Sequence, residues 1–189
     1  MSQRLIYTIG PSGAGKDSVL AWLGQHVPAG KVVHFARRVI DRPAQASGEM
    51  HESLSTSDFL AQRALQSFAL CWTANGHNYG VRHAELSALE RGHWVFVNGS
   101  REYLREALET FPSMVVLHIT APMEVLALRL AQRQRESAEQ IATRLSRAPA
   151  FQSIQKSALI EVQNDGTVDE AGRRLLQALS QLPGWMGSR

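Results

Sequence analysis

Residues 4–27, RLIYTIGPSGAGKDSVLAWLGQHV, pass from an apolar run through a glycine-rich turn into a helical pattern without interruption. The run RLIYTIG is short, apolar and β-rich, and its closing glycine marks the end of a buried strand. From Gly15 to Val27, the residues Val19, Leu20, Leu23 and Val27 fall on one helical face, and Pro28-Ala29-Gly30 stops the helix. Between the two, Gly10, Gly15 and Lys16 match the phosphate-loop pattern G-x-x-x-x-G-K-[ST] except at its last letter, where Asp17 stands. Glycines at these positions let backbone N–H groups close on phosphate oxygens at the positive end of the following helix. Lys16 then reaches the β- and γ-phosphates. The expected ATP-binding set is Gly10, Pro11, Ser12, Gly13, Ala14, Gly15, Lys16, Asp17 and Ser18. The usual hydroxyl at position 17 holds magnesium. A carboxylate suits the same hard cation, directly or through water, and repels the triphosphate unless a metal lies between them. Asp17 is the expected Mg2+ ligand, with Ser18 or water as the alternative.

The rest of the chain alternates strand-like and helix-like segments. KVVHFA, HWVFVNG, SMVVLHITA and ALIEVQN read as further strands; SREYLREALETF and residues 167–181 read as helices. A short helix is expected at about 83–91 and one or two charged helices over 122–148. Residues 55–72 open on Ser, Thr and Asp and carry Phe59, Leu65, Phe68 and Trp72 at helical spacing, which predicts one helix; 37–54 predicts a loop or excursion. The expectation is an α/β chain with a three-layer P-loop NTPase fold, a largely parallel five-stranded sheet, a small acceptor-binding excursion and a helical lid. In such sheets ligands bind beyond the carboxyl ends of the strands. The loops after Ile9, Phe35, Val97, Thr120 and Gln163 are therefore the ones to search.

Composition closes off several classes. The 20 Lys and Arg exceed the 17 Asp and Glu by only three, too few to argue for nucleic acid. Lys16, Lys31 and Lys156 are the only lysines, and an arginine bias suits bidentate phosphate contacts as well as it suits a GC-rich genome. A single cysteine, Cys71, rules out an internal disulfide and a multi-cysteine zinc site. His34, His51, His77, His83 and His93 have no metal spacing. No secretory leader and no membrane-length apolar run is seen, so a cytoplasmic protein with no membrane partner is expected. Trp72 and Trp94 sit in apolar patterns and read as core.

Seven segments carry a resemblance: GPSGAGKDS (10–18), FARRVIDRP (35–43), SGE (47–49), ALCWTANGHNYG (69–80), VFVNGSR (95–101), RLAQRQRES (129–137) and VQNDG (162–166). Over nearly its whole length the chain resembles the guanylate kinase-type P-loop kinases. Within them it is most similar to the ribose 1,5-bisphosphate phosphokinases of phosphonate degradation, of which Lys-Asp-Ser in the phosphate loop is a mark. The resemblance implies one domain, 1–189, with a core of 1–36, 81–128 and 150–189, an acceptor-binding region at about 37–80 and a lid at about 129–149. It implies ATP and Mg2+ as cofactors and a phosphorylated ribose as acceptor. Arg37, Arg38, Arg42, Glu49 and Tyr79 are the implied acceptor-binding residues. Arg133 and Arg144 are the implied catalytic lid arginines beside Lys16, with Arg129 and Arg135 as further lid candidates, and Asn164, next to Asp165, belongs to the adenine-side loop. An Asn-Asp-Gly turn with no ligand is the plain reading of 164–166.

One departure qualifies the resemblance, and a second position separates the chain from the guanylate kinases. Asp41 stands where Thr is the family residue. Leu70 occupies the position at which guanylate kinases place a glutamate to read guanine, and a leucine accepts no hydrogen bond from a base. Asn98 ends the third strand where many P-loop enzymes keep an acidic metal-side residue, so Asp17 could supply that carboxylate from the other side. Two other functions stay open: a GMP kinase, disfavoured by Leu70, and a non-catalytic binding module, disfavoured by Lys16.

Overall fold

The computed structural model describes residues 2–43, 51–132 and 158–185. In chain order the strands are β1 (Leu5–Ile9), β2 (Val33–Phe35), β3 (Arg38–Ile40), β4 (Glu52–Ser53), β5 (Phe68–Ala74), β6 (His77–Arg82), β7 (Trp94–Asn98), β8 (Val115–Thr120) and β9 (Leu159–Gln163). The helices are α1 (Lys16–His26), α2 (Thr56–Ala64), α3 (His83–Leu86), α4 (Leu104–Thr110), α5 (Met123–Gln132) and α6 (Val168–Ser180). The five strands read from the sequence form one sheet in the order β2-β7-β1-β8-β9, with β2 parallel to β7 and β8 parallel to β9. Every residue of β1 and β7 is buried, as expected of a strand covered on both faces.

The chain divides into two compact units, residues 1–7 with 32–115 and residues 8–31 with 116–189. The acceptor region drawn from the sequence falls wholly in the first unit, and the phosphate loop falls in the second.

In the second unit α1 packs on α6. Gly172 of α6 lies so close to Trp22 of α1 that a Cβ there would fall 2.1 Å from the indole. The start of α6 is fixed by a reciprocal cap: the Thr167 hydroxyl accepts from the Glu170 N–H, and the Glu170 carboxylate accepts from the Thr167 N–H at 2.8 Å.

The first unit holds a second sheet, β4-β3-β6-β5, that the sequence reading missed in two places. Residues 37–54 are not simply a loop, since β3 and β4 lie within them and pair in parallel. Residues 55–72 are not one helix. Ser55 caps α2 through the Asp58 N–H at 3.1 Å, as expected, but the helix ends at Ala64. Gln66 adopts φ 53°, a left-handed conformation that terminates the helical run, and the Ser67 N–H bonds back to the Gln62 carbonyl. Leu65, counted to the helical core face, is 78% exposed. Phe68, Leu70 and Trp72 instead alternate along β5, with Leu70 and Trp72 buried. Phe59 of α2 is buried and stacks on Phe68 with ring centroids 4.8 Å apart. β5 turns into β6 through Asn75-Gly76, both with positive φ, the residue pair that a two-residue hairpin loop favours. Trp72 and Trp94 are core residues, as read.

Candidate functional site

In the second unit the phosphate loop leaves β1 at Gly10 and enters α1 at Lys16. Gly10, Gly13 and Gly15 all have positive φ. At Gly10 the requirement is absolute, because a Cβ would fall 1.9 Å from the Ile119 carbonyl oxygen. At Gly15 a Cβ would fall 2.4 Å from Asn164 Nδ2. Lys16 folds back over its own loop, its ammonium donating to the Gly10 carbonyl at 2.8 Å and the Pro11 carbonyl at 3.2 Å. Asp17 and Ser18 are exposed in the first turn of α1. Asn164 comes directly after β9 and is buried; its side chain donates to the Ala14 carbonyl at 2.8 Å, and its N–H donates to the Thr120 carbonyl at 2.7 Å. Asp165 pairs with Arg174 at 2.7 Å, and the hydrogen bond from that guanidinium holds its carboxyl below the usual range. Arg129, grouped by sequence with the lid arginines, donates to the Asn164 carbonyl at 2.9 Å and the Gly166 carbonyl at 3.3 Å. Sequence reasoning gave Arg129 no such role, because nothing in spacing shows a guanidinium bonded to main-chain carbonyls 35 and 37 residues away.

In the first unit the end of β7 and the second sheet bring Arg38, Tyr79 and Asn98 together. Arg38 donates to the Asn98 carbonyl at 3.0 Å and lies over the Tyr79 ring, 5.3 Å from its centroid. Tyr79 stacks on Trp72 at 5.5 Å, and Trp72 stacks on Tyr103 at 5.7 Å. This aromatic row holds the guanidinium plane from one side. Arg42 follows β3. Its Nε is buried and meets no hydrogen-bond acceptor among the described residues, while its carbonyl accepts from His51 at 3.2 Å and Ser53 at 2.5 Å. Arg37 is exposed and lies 3.7 Å from Glu52, a carboxylate already gripped by both Nε and Nη2 of Arg82. The Arg37 main chain donates to Glu85, which also holds His34 at 2.7 Å.

Leu70 and Asp41 find their places here. Leu70 is 1% exposed and sits opposite Val81 in the core of the second sheet. Asp41 is consumed internally: Oδ1 accepts from the Asn78 N–H and Oδ2 from the Asn78 side-chain amide, both at 2.7 Å, with His77 at 3.5 Å. Burial alone would raise its carboxyl, but the bonds from Asn78 and Thr56 and the nearby His77 hold it below the usual range. Asp41 thus fixes the hairpin beside Tyr79. Glu49, Arg133, Arg135 and Arg144 lie outside the described residues. Among the described residues no cluster of three or more His, Cys, Asp or Glu could cage a metal, and no helix is long and apolar enough to cross a membrane.

A mostly parallel five-stranded sheet with a glycine-ringed phosphate loop after its central strand, and a small second sheet inserted in the chain, define a P-loop fold of the guanylate kinase type. The fold is similar to that of a guanylate kinase from Anaplasma phagocytophilum (TM-score 0.60, 16% identity, 97% of this chain and 89% of that one) and of a sugar kinase from Janibacter sp. HTCC2649 (TM-score 0.55, 18% identity, 98% and 99%). In sequence the chain is 44% identical over 182 residues to ribose 1,5-bisphosphate phosphokinase PhnN of Burkholderia mallei (strain SAVP1), covering 96% of this chain and 97% of that protein. It is 46% identical over 175 residues to the protein of that name from Chromobacterium violaceum, covering 93% and 92%. The chain belongs to the ribose 1,5-bisphosphate phosphokinase family. No family model matches it.

Proposed function

We propose that this chain transfers the γ-phosphoryl group of ATP to the 1-phosphate of ribose 1,5-bisphosphate, giving 5-phosphoribosyl 1-diphosphate and ADP in the cytoplasm. The observation that carries the proposal is the near full-length identity to relatives bearing that name. A 1-phosphate oxygen forms the new bond to the γ-phosphorus as the bond from that phosphorus to the β,γ-bridging oxygen breaks. The nucleophile is already an anion, so the protein needs no strong general base; positioning and charge neutralisation make up the catalysis. On the donor side, the loop N–H groups and Lys16 hold the β- and γ-phosphates. On the acceptor side, Arg38, Arg42 and Tyr79 bind phosphate, Arg37 contributes from the rim, and Glu49 orients a ribose hydroxyl. Arg133 and Arg144, on resemblance alone, take the charge of the transferring group. Leu70 favours this acceptor over GMP, since a buried leucine leaves guanine without its hydrogen-bond partner.

A kinase of this type uses a divalent metal, and Mg2+ is proposed. One exposed carboxylate beside the loop and no protein cage among the described residues suit a cation held by one side chain, triphosphate oxygens and water. When bound, the cation neutralises charge on the β- and γ-oxygens. Asp17→Ala is expected to lower activity and raise the magnesium concentration needed for half-maximal rate, and Asp17→Ser to recover part of the loss. Full activity of Asp17→Ala at limiting magnesium would remove Asp17 from the metal site.

The test of the whole reading is ADP release from ATP and magnesium with ribose 1,5-bisphosphate, with GMP, and with no acceptor. Turnover is expected with the sugar phosphate. Faster turnover with GMP would make the chain a nucleotide kinase, and silence with every acceptor would make it a binding module.

A further inference from the structure

Asn164 bonds the phosphate loop and Arg129 bonds Asn164, at a point where the sequence suggested only a nucleotide contact or a turn. The peptide unit joining Ala14 to Gly15 is planar and trans, so its C=O and N–H point in opposite directions. The Asn164 amide donates to that C=O at 2.8 Å. Fixing the carbonyl therefore also fixes the heading of the Gly15 N–H. The amide orientation is unambiguous, because a flipped amide would set two oxygens against each other. Gly15 admits no side chain because the same amide fills the space a Cβ would take.

Asn164 is itself held on its main chain. Its N–H donates to Thr120, and its carbonyl accepts from Arg129, whose second guanidinium nitrogen takes the Gly166 carbonyl. One arginine on α5 thus staples both ends of the 164–166 turn, and the turn presents the amide to the loop.

We propose that Asn164 is a positioning residue of the phosphate loop, aiming the Gly15 N–H through the Ala14 carbonyl, and that Arg129 is its anchor. The proposal rests on the reading that the loop binds the triphosphate of ATP. It differs from a base contact in one measurable way: the loop should matter equally to a ligand with no base.

Binding of magnesium–ATP and of magnesium–tripolyphosphate is measured by isothermal titration calorimetry on the full chain. Asn164→Ala is expected to weaken both ligands by the same factor, about tenfold. Arg129→Met weakens both in the same ratio and by less, and Arg129→Lys, which keeps one of the two carbonyl bonds, recovers part. The double variant is no weaker than Asn164→Ala alone, because Arg129 acts through Asn164. Loss of ATP affinity with tripolyphosphate unchanged would make Asn164 a base reader and overturn the proposal. A double variant weaker than the wild type by the product of the two single-variant factors would overturn the anchoring role of Arg129. If Asn164→Ala does not fold, the Arg129 variants, altered on a half-exposed helix position, carry the same two-ligand comparison. A wild-type chain that binds neither ligand would instead defeat the kinase reading itself.

Discussion

Lys16→Met is expected to lower kcat/KM for transfer from ATP by about 10³-fold, equivalent to about 4 kcal/mol of transition-state stabilisation. Methionine keeps much of the length and the apolar stem, so the change removes the ammonium and little else. In the structure that ammonium bridges the Gly10 and Pro11 carbonyls, which belong to two successive peptide units of the loop. The same group is therefore proposed to do two things: tie the loop together before binding, and meet the β- and γ-phosphates as charge builds on them. Lys16→Arg should rescue poorly, because a broad planar fork does not replace a compact point charge inside a closed loop. The loss should appear mainly in kcat, with the KM for the acceptor little changed. Thermal unfolding should shift by only a few degrees, since two loop bonds are worth on the order of 1 kcal/mol each. Steady-state ADP release decides it: a variant retaining a tenth of wild-type kcat/KM would take Lys16 out of the reaction.

The central sheet was legible because its strands are short, apolar and separated by clear helical patterns. Residues 5–9 and 94–98 are buried throughout, and burial on both faces leaves an uninterrupted hydrophobic run that little else in an α/β chain produces. The second sheet was not legible by the same signal. Its strands β3 and β4 are three and two residues long, too short for any periodicity to show. In residues 55–72 the apolar positions 59, 65, 68 and 72 fit a helical period, yet the last two belong to a strand. The discriminating signal was Asn75-Gly76, a hairpin turn with β-forming residues on either side. Reading outward from that turn would have placed Trp72 opposite Tyr79 and ended the helix earlier.

The glycine geometry of the phosphate loop was readable for a chemical reason. Gly10 and Gly15 are demanded by backbone geometry, because only glycine fits where an Ile119 carbonyl or an Asn164 amide occupies the place of a Cβ. The proposed acceptor half depends on long-range pairing that the sequence does not display. Arg37, Arg38 and Arg42 look alike as letters, but the fold gives them different surroundings. Arg38 is seated between Tyr79 and the Asn98 carbonyl, and Arg37 lies near Glu52. Asp41 looked like a departure from the family pattern and is instead the carboxylate that fixes Asn78.

Arg42→Met is expected to raise the KM for ribose 1,5-bisphosphate by about 10²-fold with the KM for ATP unchanged, in line with the roughly 2–5 kcal/mol that truncating one partner of a buried charged pair costs. Arg42 Nε is buried without an acceptor among the described residues, and a buried N–H left unanswered costs about 1–3 kcal/mol. Natural cores rarely keep such a group unless something binds to it, and a phosphate oxygen is the acceptor a guanidinium fits best. The same substitution should therefore leave the ligand-free protein as stable as the wild type or more so, because methionine keeps an apolar stem and removes the unanswered donor. A purely structural arginine would behave the other way: its loss would lower the unfolding temperature and touch both substrates. Arg82, whose fork closes on Glu52, is the matching control. Arg82→Met should destabilise the fold, and Arg37→Met, at an exposed position already near a carboxylate, should raise the acceptor KM by less than Arg42→Met. Acceptor KM and unfolding temperature measured on all three variants separate binding from scaffolding, and an Arg42→Met protein that is less stable with unchanged acceptor KM would move Arg42 out of the acceptor site.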